Sequence, residues 1–177
     1  MRVNIDLSIN DYDRNLFVTR KLVVEIKDHE GPPHIVLKVL AYAMHYAEGL
    51  VIEPRFEGRY DPDLLLRNDD HSPALWIECG QVRVAKLDKL SFRYPDAQLV
   101  VVKQTEREAR ELMQRCRGEV RRLSVIEFIG FNPGFCANVA GRLGGKNDWI
   151  AILSGADLQL VVEGATLETG IHRFRAV

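Results

Sequence analysis

A strict alternation of apolar and polar positions opens the chain. Two segments share this period of two, namely Val3, Ile5 and Leu7, and then Leu22, Val24 and Ile26. Since successive side chains of a strand point to opposite faces of a sheet, this period is typical of half-buried strands. We therefore expect an opening hairpin in which residues 11–20 form the polar connection.

A helical period follows Gly31, Pro32 and Pro33, which interrupt the strand pattern. The apolar positions recur at three- and four-residue steps, at Val36, Leu40, Ala43, Met44 and Ala47, and Gly49 is suited to end a helix. The opposite stripe carries His34, Lys38, His45 and Glu48, a pattern that favours a solvated helix face. Glu48 is the exception. It lies at the end of the helix, and we expect its carboxylate to face the acidic end of the hairpin that follows in the chain.

The stretch 61–89 combines strand pattern, turn and acidic residues. Two short apolar segments, 63–68 and 74–80, flank the turn-forming residues 69–73, which predicts an antiparallel hairpin. If Asn68 faces Pro73, Asp63 lies directly opposite Glu78. Directly opposed Cβ atoms are roughly 4.5 to 5.5 Å apart, so the two carboxylates would be close enough to share a divalent cation.

The remainder of the chain predicts an α/β sheet with crossover helices. A helix is expected over 81–94, a buried strand over 97–103, a helix that begins at the capping pair Thr105 and Glu108, and a second buried strand over 123–131. Further strand patterns lie at 149–153, 158–162 and 169–174. We expect these closing strands to pair with the opening hairpin in a second, smaller sheet.

Composition limits the class of protein. The 177 residues, 46% hydrophobic and 28% charged, predict a single globular domain over 1–177. With a net charge of -1, the chain as a whole has no electrostatic field that would attract nucleic acid, so nucleic-acid binding would need a local basic patch. Cys79, Cys116 and Cys136 have neither zinc-site nor disulfide spacing, and no signal peptide or membrane-spanning stretch is visible. A reducing, cytoplasmic location away from membranes is expected.

Several segments in this order resemble the YaeQ family of small bacterial proteins. They are NDYDRNLF at 10–17, VLAYAMHYAEGL at 39–50, WIECG at 76–80 and the glycine-punctuated closing strands. The family is similar in fold to the PD-(D/E)xK nuclease superfamily. The resemblance therefore implies a mixed central sheet of restriction-endonuclease-like type, with an additional small antiparallel sheet from the N- and C-terminal strands. The superfamily pattern falls on Pro62 and Asp63, on Glu78, and on Glu48 as the helix-end acid.

One departure from that pattern affects the expected chemistry. The superfamily motif places a lysine two residues after the second acid, where this chain has Gly80. Lys86 or Lys89 on the following helix can substitute, because a four-carbon stem gives either ammonium reach. We favour Lys86, which lies in the first turns after Gly80.

The resemblance implies either a metal-dependent nuclease, which is a phosphodiesterase that uses Mg²⁺ or Mn²⁺, or a degenerate nuclease-fold protein that acts on nucleic acid and whose catalytic site has decayed. In the first case the site residues would have the following roles. Asp63, Glu78 and the Cys79 carbonyl would bind the metal, Glu48 would hold an outer-shell water, and Lys86 or Lys89 would position the nucleophile.

Two alternatives stay open at this point. The chain can instead be a non-catalytic module that binds nucleic acid or a protein through basic residues, namely Lys86, Lys89, Arg93, Arg115, Arg117, Arg121 and Arg122. In the plainest interpretation, Asp63 and Glu78 only delimit strands and the lysines lie on an exposed helix.

Overall fold

The computed structural model describes residues 2–56 and 59–177, which form one mixed sheet with helices on both faces. The strands are β1 (Arg2–Asp11), β2 (Leu16–Glu25), β3 (Val51–Ile52), β4 (Leu64–Arg67), β5 (Pro73–Cys79), β6 (Gln98–Val102), β7 (Ile126–Phe131), β8 (Lys146–Ser154), β9 (Asp157–Val162) and β10 (Ala165–Phe174). The helices are α1 (Pro32–His45), α2 (Val84–Arg93), α3 (Glu106–Cys116) and α4 (Phe135–Ala140), with a 3₁₀ turn at Leu123–Val125. None of these helices is long and apolar enough to cross a membrane.

All ten strands belong to one sheet, in the order β2-β1-β8-β9-β10-β7-β6-β5-β4-β3. Strand β10 pairs with β9 over residues 165–170 and with β7 over residues 171–174, so it joins the terminal strands to the central ones. Strands β1 and β8 are parallel. The closing strands therefore pair with the opening hairpin as predicted. The prediction that they form a separate, purely antiparallel small sheet is wrong, because β1 and β8 are parallel and ten-residue β10 is long enough to pair with both halves.

The sheet curls into a nearly closed barrel around helix α1. Its edge strands are β2 and β3, and the Glu25 N–H at the end of β2 donates to Glu53 Oε2, just after β3, at 3.2 Å. Residues 35–44 of α1 are all buried. The expectation that His34 and Lys38 lie on a solvated helix face is wrong, because the curled sheet covers α1 on nearly all sides.

The opening hairpin is confirmed, but its connection is shorter than predicted. Asp11 pairs with Leu16, so only residues 12–15 lie outside the strands instead of the predicted 11–20. Polar side chains such as Thr19 point outward while their backbone still pairs with β1. Side-chain polarity therefore failed to mark the start of β2.

The central elements follow the prediction closely. Strands β4 and β5 are antiparallel with Leu64 opposite Ile77, the predicted register, although a bulge after Leu66 shifts Arg67 onto Pro73. Strands β5, β6 and β7 run in parallel, connected by α2 and α3. Helix α1 packs in one core on one face of this region, and α2 and α3 pack in a second core on the other. Strand β5 is thus interior to the sheet.

Candidate functional site

A cavity of about 480 Å³ lies at the carboxyl end of β5, between the N-terminal ends of α1 and α2. Its polar lining residues are Lys27, His29, Glu30, His34, Asp61, Asp63, Glu78, Gln81, Lys86 and Gln104. The carboxyl ends of parallel strands are where α/β sheets commonly bind ligands. This position makes the cavity the candidate site.

Three side chains in the cavity bring potential metal ligands together. One atom each from Glu30, His34 and Asp63 lies within 4.8 Å of the other two. His34 Nε2 is 3.2 Å from Glu30 Oε1 and 3.5 Å from Asp63 Oδ1, yet it is buried without a well-aligned hydrogen bond to either. A buried imidazole nitrogen between two carboxylates is a suitable arrangement for a divalent cation.

A buried ammonium group lies behind these ligands. Lys38 is fully buried, and its Nζ lies 2.7 Å from Glu53, 3.3 Å from Glu30 and 3.7 Å from Asp63. Burial by itself would lower the pKa of Lys38, but the hydrogen bond to Glu53 and the nearby negative charges outweigh it, and the pKa is raised. Three carboxylates around one ammonium leave a formal surplus of two negative charges when His34 is neutral.

Asp63 is fixed in place by backbone and side-chain contacts. The Cys79 N–H donates to Asp63 Oδ2 at 2.7 Å, and the Asp63 N–H donates to the Ile77 carbonyl. Burial opposes ionisation of Asp63, but the contacts with His34, the Cys79 N–H and Lys38 overcome it and lower the pKa. The Asp63 carboxylate is therefore held in its charged form.

Glu78 takes part in a different ion pair on the α2 side of the cavity. Its Oε1 accepts hydrogen bonds from Trp76 Nε1 at 2.8 Å and lies 2.6 Å from Lys86 Nζ. Burial raises the pKa of Glu78, the Asp63 charge adds to this effect, and Lys86 opposes it. The Glu78 carboxyl group therefore binds a proton more readily than an exposed glutamate does. It lies beside Lys86, which lines the cavity.

Gly80 occupies a position that a residue with a side chain could take only with strain. A Cβ at this position would lie only 2.8 Å from His34 Nδ1, and the backbone has φ +76°, a conformation that favours glycine. Lys103 Nζ donates to the Gly80 carbonyl at 2.7 Å and fixes this loop. The imidazole of His34 thus lies against the position where a longer side chain would begin.

The predicted site residues are only partly brought together. Asp63, Glu78, Cys79 and Lys86 all line the cavity, and Lys86 Nζ lies 2.6 Å from Glu78 Oε1. Lys89 lines a neighbouring cleft instead. Whether Asp63, Glu78 and the Cys79 carbonyl bind one metal stays a prediction, since the two carboxylates pair with different cations.

Glu48 does not lie where the sequence suggested. It is bonded to Arg20 and Tyr46 beyond the C-terminal end of α1, and its side chain is 87% exposed. His34 lies at the N-terminal end of the same 14-residue helix, whose length of about 21 Å separates the two ends. The acidic residues near Asp63 are instead Glu30, which precedes α1, and Glu53, which follows β3. Both contact Lys38 of α1, as Asp63 does.

Sequence reasoning missed Glu30, His34, Lys38 and Glu53 as site residues. One signal was available, because Lys38 is the sole charged residue in the run 35–44, which is apolar around its whole circumference. A helix that is hydrophobic on all sides is buried, and a lysine within it needs carboxylate partners. No comparable signal identifies Glu30 or Glu53, which precede α1 and follow β3.

Comparison with known proteins agrees with this fold. The crystal structure of the YaeQ protein from Xanthomonas axonopodis pv. citri has a TM-score of 0.85 at 17% sequence identity, covering 99% of this chain and 98% of that chain. The YaeQ protein from Pseudomonas syringae also gives 0.85 at 17% identity, with 100% and 97% covered. At this identity the likeness establishes the fold alone, and the comparison with curated proteins gave no significant match.

The sequence itself provides the family assignment. Residues 2–171 match the sequence model described as YaeQ protein, which covers nearly the whole chain. The chain therefore belongs to the YaeQ family.

Proposed function

We propose that the chain is a divalent-metal-dependent phosphodiesterase that acts on nucleic acid at the cavity beside β5. The observation that carries the proposal is the buried His34 Nε2, which lacks a well-aligned hydrogen bond and lies within 3.5 Å of both Glu30 and Asp63. A polar atom left in this state is costly unless a further group satisfies it.

The donor set fits a metal of the Mg²⁺ or Mn²⁺ type. Glu30, His34 and Asp63 would hold it, and the formal negative surplus around Lys38 matches a divalent charge. Carboxylate oxygens suit both ions, whereas the imidazole favours Mn²⁺ over Mg²⁺. When bound, such an ion polarises a phosphodiester and lowers the pKa of a coordinated water.

The other cavity residues have distinct roles in this proposal. Lys38 holds the Glu30 and Asp63 carboxylates in place from behind. The Glu78 carboxylate fixes the Lys86 ammonium at the cavity wall, where it can bind a phosphate oxygen of the substrate. Glu78, whose pKa is raised by burial, can also take part in proton transfer beside Lys86. This assignment gives the missing motif lysine a replacement in Lys86.

Metal binding is tested by isothermal titration of the EDTA-treated protein with Mn²⁺. We expect one Mn²⁺ per chain, and at least tenfold weaker binding in Asp63→Asn and His34→Gln. His172→Gln is the matched control, since His172 bonds to Asn132 away from the cavity. Glu30→Gln and Glu78→Gln distinguish the two ligand sets, because only the first should weaken binding if Glu78 pairs with Lys86. No binding by the wild-type protein would overturn the proposal and leave a structural ion-pair cluster.

Cleavage is tested with end-labelled single-stranded DNA, duplex DNA and RNA, each in Mn²⁺, Mg²⁺ or EDTA. We expect metal-dependent cleavage that Lys86→Ala abolishes without loss of Mn²⁺ binding. Lys21→Ala, at an exposed position on β2, is the matched control and should retain activity. Activity lost in Lys89→Ala but retained in Lys86→Ala would transfer the role to Lys89. Absence of cleavage of all three substrates would contradict the proposal and favour a non-catalytic binding module.

A further inference from the structure

Two adjoining clefts lie beside α2, next to the candidate site. The larger, of about 890 Å³, lies between the β4–β5 turn and the end of α2, and the smaller, of about 440 Å³, lies along α2 itself. Arg93 lines both, so the two form one continuous surface, which we call the α2 surface. Tyr60 lines the smaller cleft, and Lys86 Nζ is 5.5 Å from its ring centre, which connects the α2 surface to the cavity.

The α2 surface is strongly basic although the whole chain is nearly neutral. Its cationic lining residues are Arg55, Arg59, Arg67, Lys89, Arg93 and Arg121. Among the lining residues that the structure describes, Asp70 is the one carboxylate, and Asp88, outside the lining, pairs with Arg121 at 3.1 Å. Six cations against these two carboxylates leave a formal surplus of four positive charges among the named residues. The local patch that nucleic-acid binding would require is present on this surface.

Aromatic rings are interleaved with these cations. The four pairs, with the distance from the guanidinium carbon to the ring centre, are Arg121 with Phe92 at 4.3 Å, Arg67 with Phe56 at 5.7 Å, Arg59 with Tyr60 at 5.7 Å, and Arg93 with Tyr94 at 5.8 Å. Phe92 is 60% exposed, so its ring is accessible to a ligand in the cleft. Planar cations and rings alternating along a groove are the features on which unpaired bases stack.

We propose that the α2 surface binds single-stranded nucleic acid and leads it to the metal cavity. The arginines and Lys89 would contact successive phosphates, and the Phe92 and Tyr94 region would stack bases. An unpaired strand suits these rings because the bases of a duplex are stacked on one another and cannot reach them. The entry of the strand into the cavity past Tyr60 and Lys86 rests on the proposed function, whereas binding to the α2 surface does not.

Binding is tested by fluorescence anisotropy with fluorescein-labelled dT15 and rU15 in EDTA, with a 15-base-pair duplex as competitor. We expect both single strands to bind, with affinity that falls steeply as salt is raised, and the duplex to compete at least tenfold more weakly. Phe92→Ala and Arg93→Ala should each weaken binding about tenfold. Phe17→Ala and Arg142→Ala are the matched controls, exposed residues of the same types on β2 and after α4, and should bind like the wild type.

The outcomes separate this inference from the proposed function. Strand binding that Asp63→Asn retains and Phe92→Ala weakens supports the inference, whether or not any cleavage is detected. Metal-dependent cleavage that Phe92→Ala and Arg93→Ala leave unchanged would overturn the inference while the proposed function stands. Equal affinity for duplex and single strand, or equal loss in the control variants, would also overturn it. A preference between dT15 and rU15 would identify the sugar of the strand that is bound.

Discussion

At the scale of single residues, Lys38 determines the charge balance of the cavity. Its fully buried ammonium contacts Glu30, Glu53 and Asp63, three acidic groups from different parts of the chain. Burying these groups costs free energy, and the pairing offsets that cost only while every partner is present. Removal of the single cation would leave three carboxylates together at low dielectric. The substitution of Lys38 is thus the most informative single change for the cavity.

We predict that Lys38→Met lowers the free energy of unfolding by about 3 to 5 kcal/mol at pH 7, because it leaves buried carboxylates without their cation. The measurement is urea unfolding followed by circular dichroism in EDTA. Lys21→Met, at an exposed position on β2, is the control and should change the free energy by less than about 0.5 kcal/mol. A loss no larger than that of the control would show that the cluster does not depend on Lys38.

The loss of unfolding free energy in Lys38→Met should also depend on pH. In the wild type the pKa of Asp63 lies below its ordinary value of 3.8, so its ionisation stabilises the folded state above pH 3.8 and this contribution is lost as the pH falls through the lower, folded pKa. Without Lys38, ionisation of Asp63 is less favourable in the folded state. The difference in unfolding free energy between variant and wild type is therefore expected to narrow when the unfolding series is extended below pH 3.8, where the wild type loses the Asp63 contribution. A difference that widens there would contradict this account.

At the scale of elements, α3 is placed by a cap and by a close contact with β7. Thr105 accepts a hydrogen bond from the Glu108 N–H at 3.1 Å, which is the cap that the sequence predicted. The start of α3 also lies directly on Gly130 of β7, where an added Cβ would be 2.2 Å from the Thr105 carbonyl oxygen. Gly130 is therefore required by the close approach of two backbones, without any need for a positive φ.

We predict that Gly130→Ala lowers the free energy of unfolding by about 3 kcal/mol or more, because the methyl group would push the start of α3 away from β7. Thermal or urea unfolding measures the effect. Gly145→Ala is the matched control, since a Cβ there would meet no atom within 4 Å, and it should be nearly neutral. Equal effects of the two substitutions would show that the contact between α3 and β7 is unimportant for stability.

At the scale of the whole molecule, the continuous sheet couples two hydrophobic cores. Trp149 belongs to the core around α1, and Trp76 belongs to the core beneath α2 and α3. Both indole rings are almost completely buried. Strand β10 hydrogen-bonds to both halves of the sheet, and the first core contains residues from both. The two cores are therefore expected to unfold together.

We predict a single unfolding transition, tested with Trp76→Phe and Trp149→Phe, in which the remaining tryptophan reports on one core. In each variant the urea midpoint from tryptophan fluorescence should coincide with the midpoint from far-ultraviolet circular dichroism. Midpoints that differ between the two probes would indicate that the cores unfold separately, and that β10 is a weak connection.

The sequence by itself determined the order and type of most elements. Alternation identified the opening and closing strands, and the buried runs identified β6 and β7. The turn of the hairpin gave the register in which Leu64 faces Ile77, although a bulge places Pro73 opposite Arg67 instead of Asn68. A four-carbon reach brought Lys86 to Glu78. These features follow from local periodicity, turn chemistry and side-chain length, all of which can be read within a short window of the chain.

Only the tertiary structure decided how the sheet closes and which residues meet in the cavity. Pairing of β1 with β8 joins residues more than 140 positions apart. The curled sheet converts the apparent solvated stripe of α1 into the partly buried position of His34 and the fully buried position of Lys38. Glu30 and Glu53 come to Lys38 from segments with no pattern of their own. The physical reason is that a local pattern fixes which side of an element is apolar, whereas the partner of each polar group depends on contacts between distant segments of the folded chain.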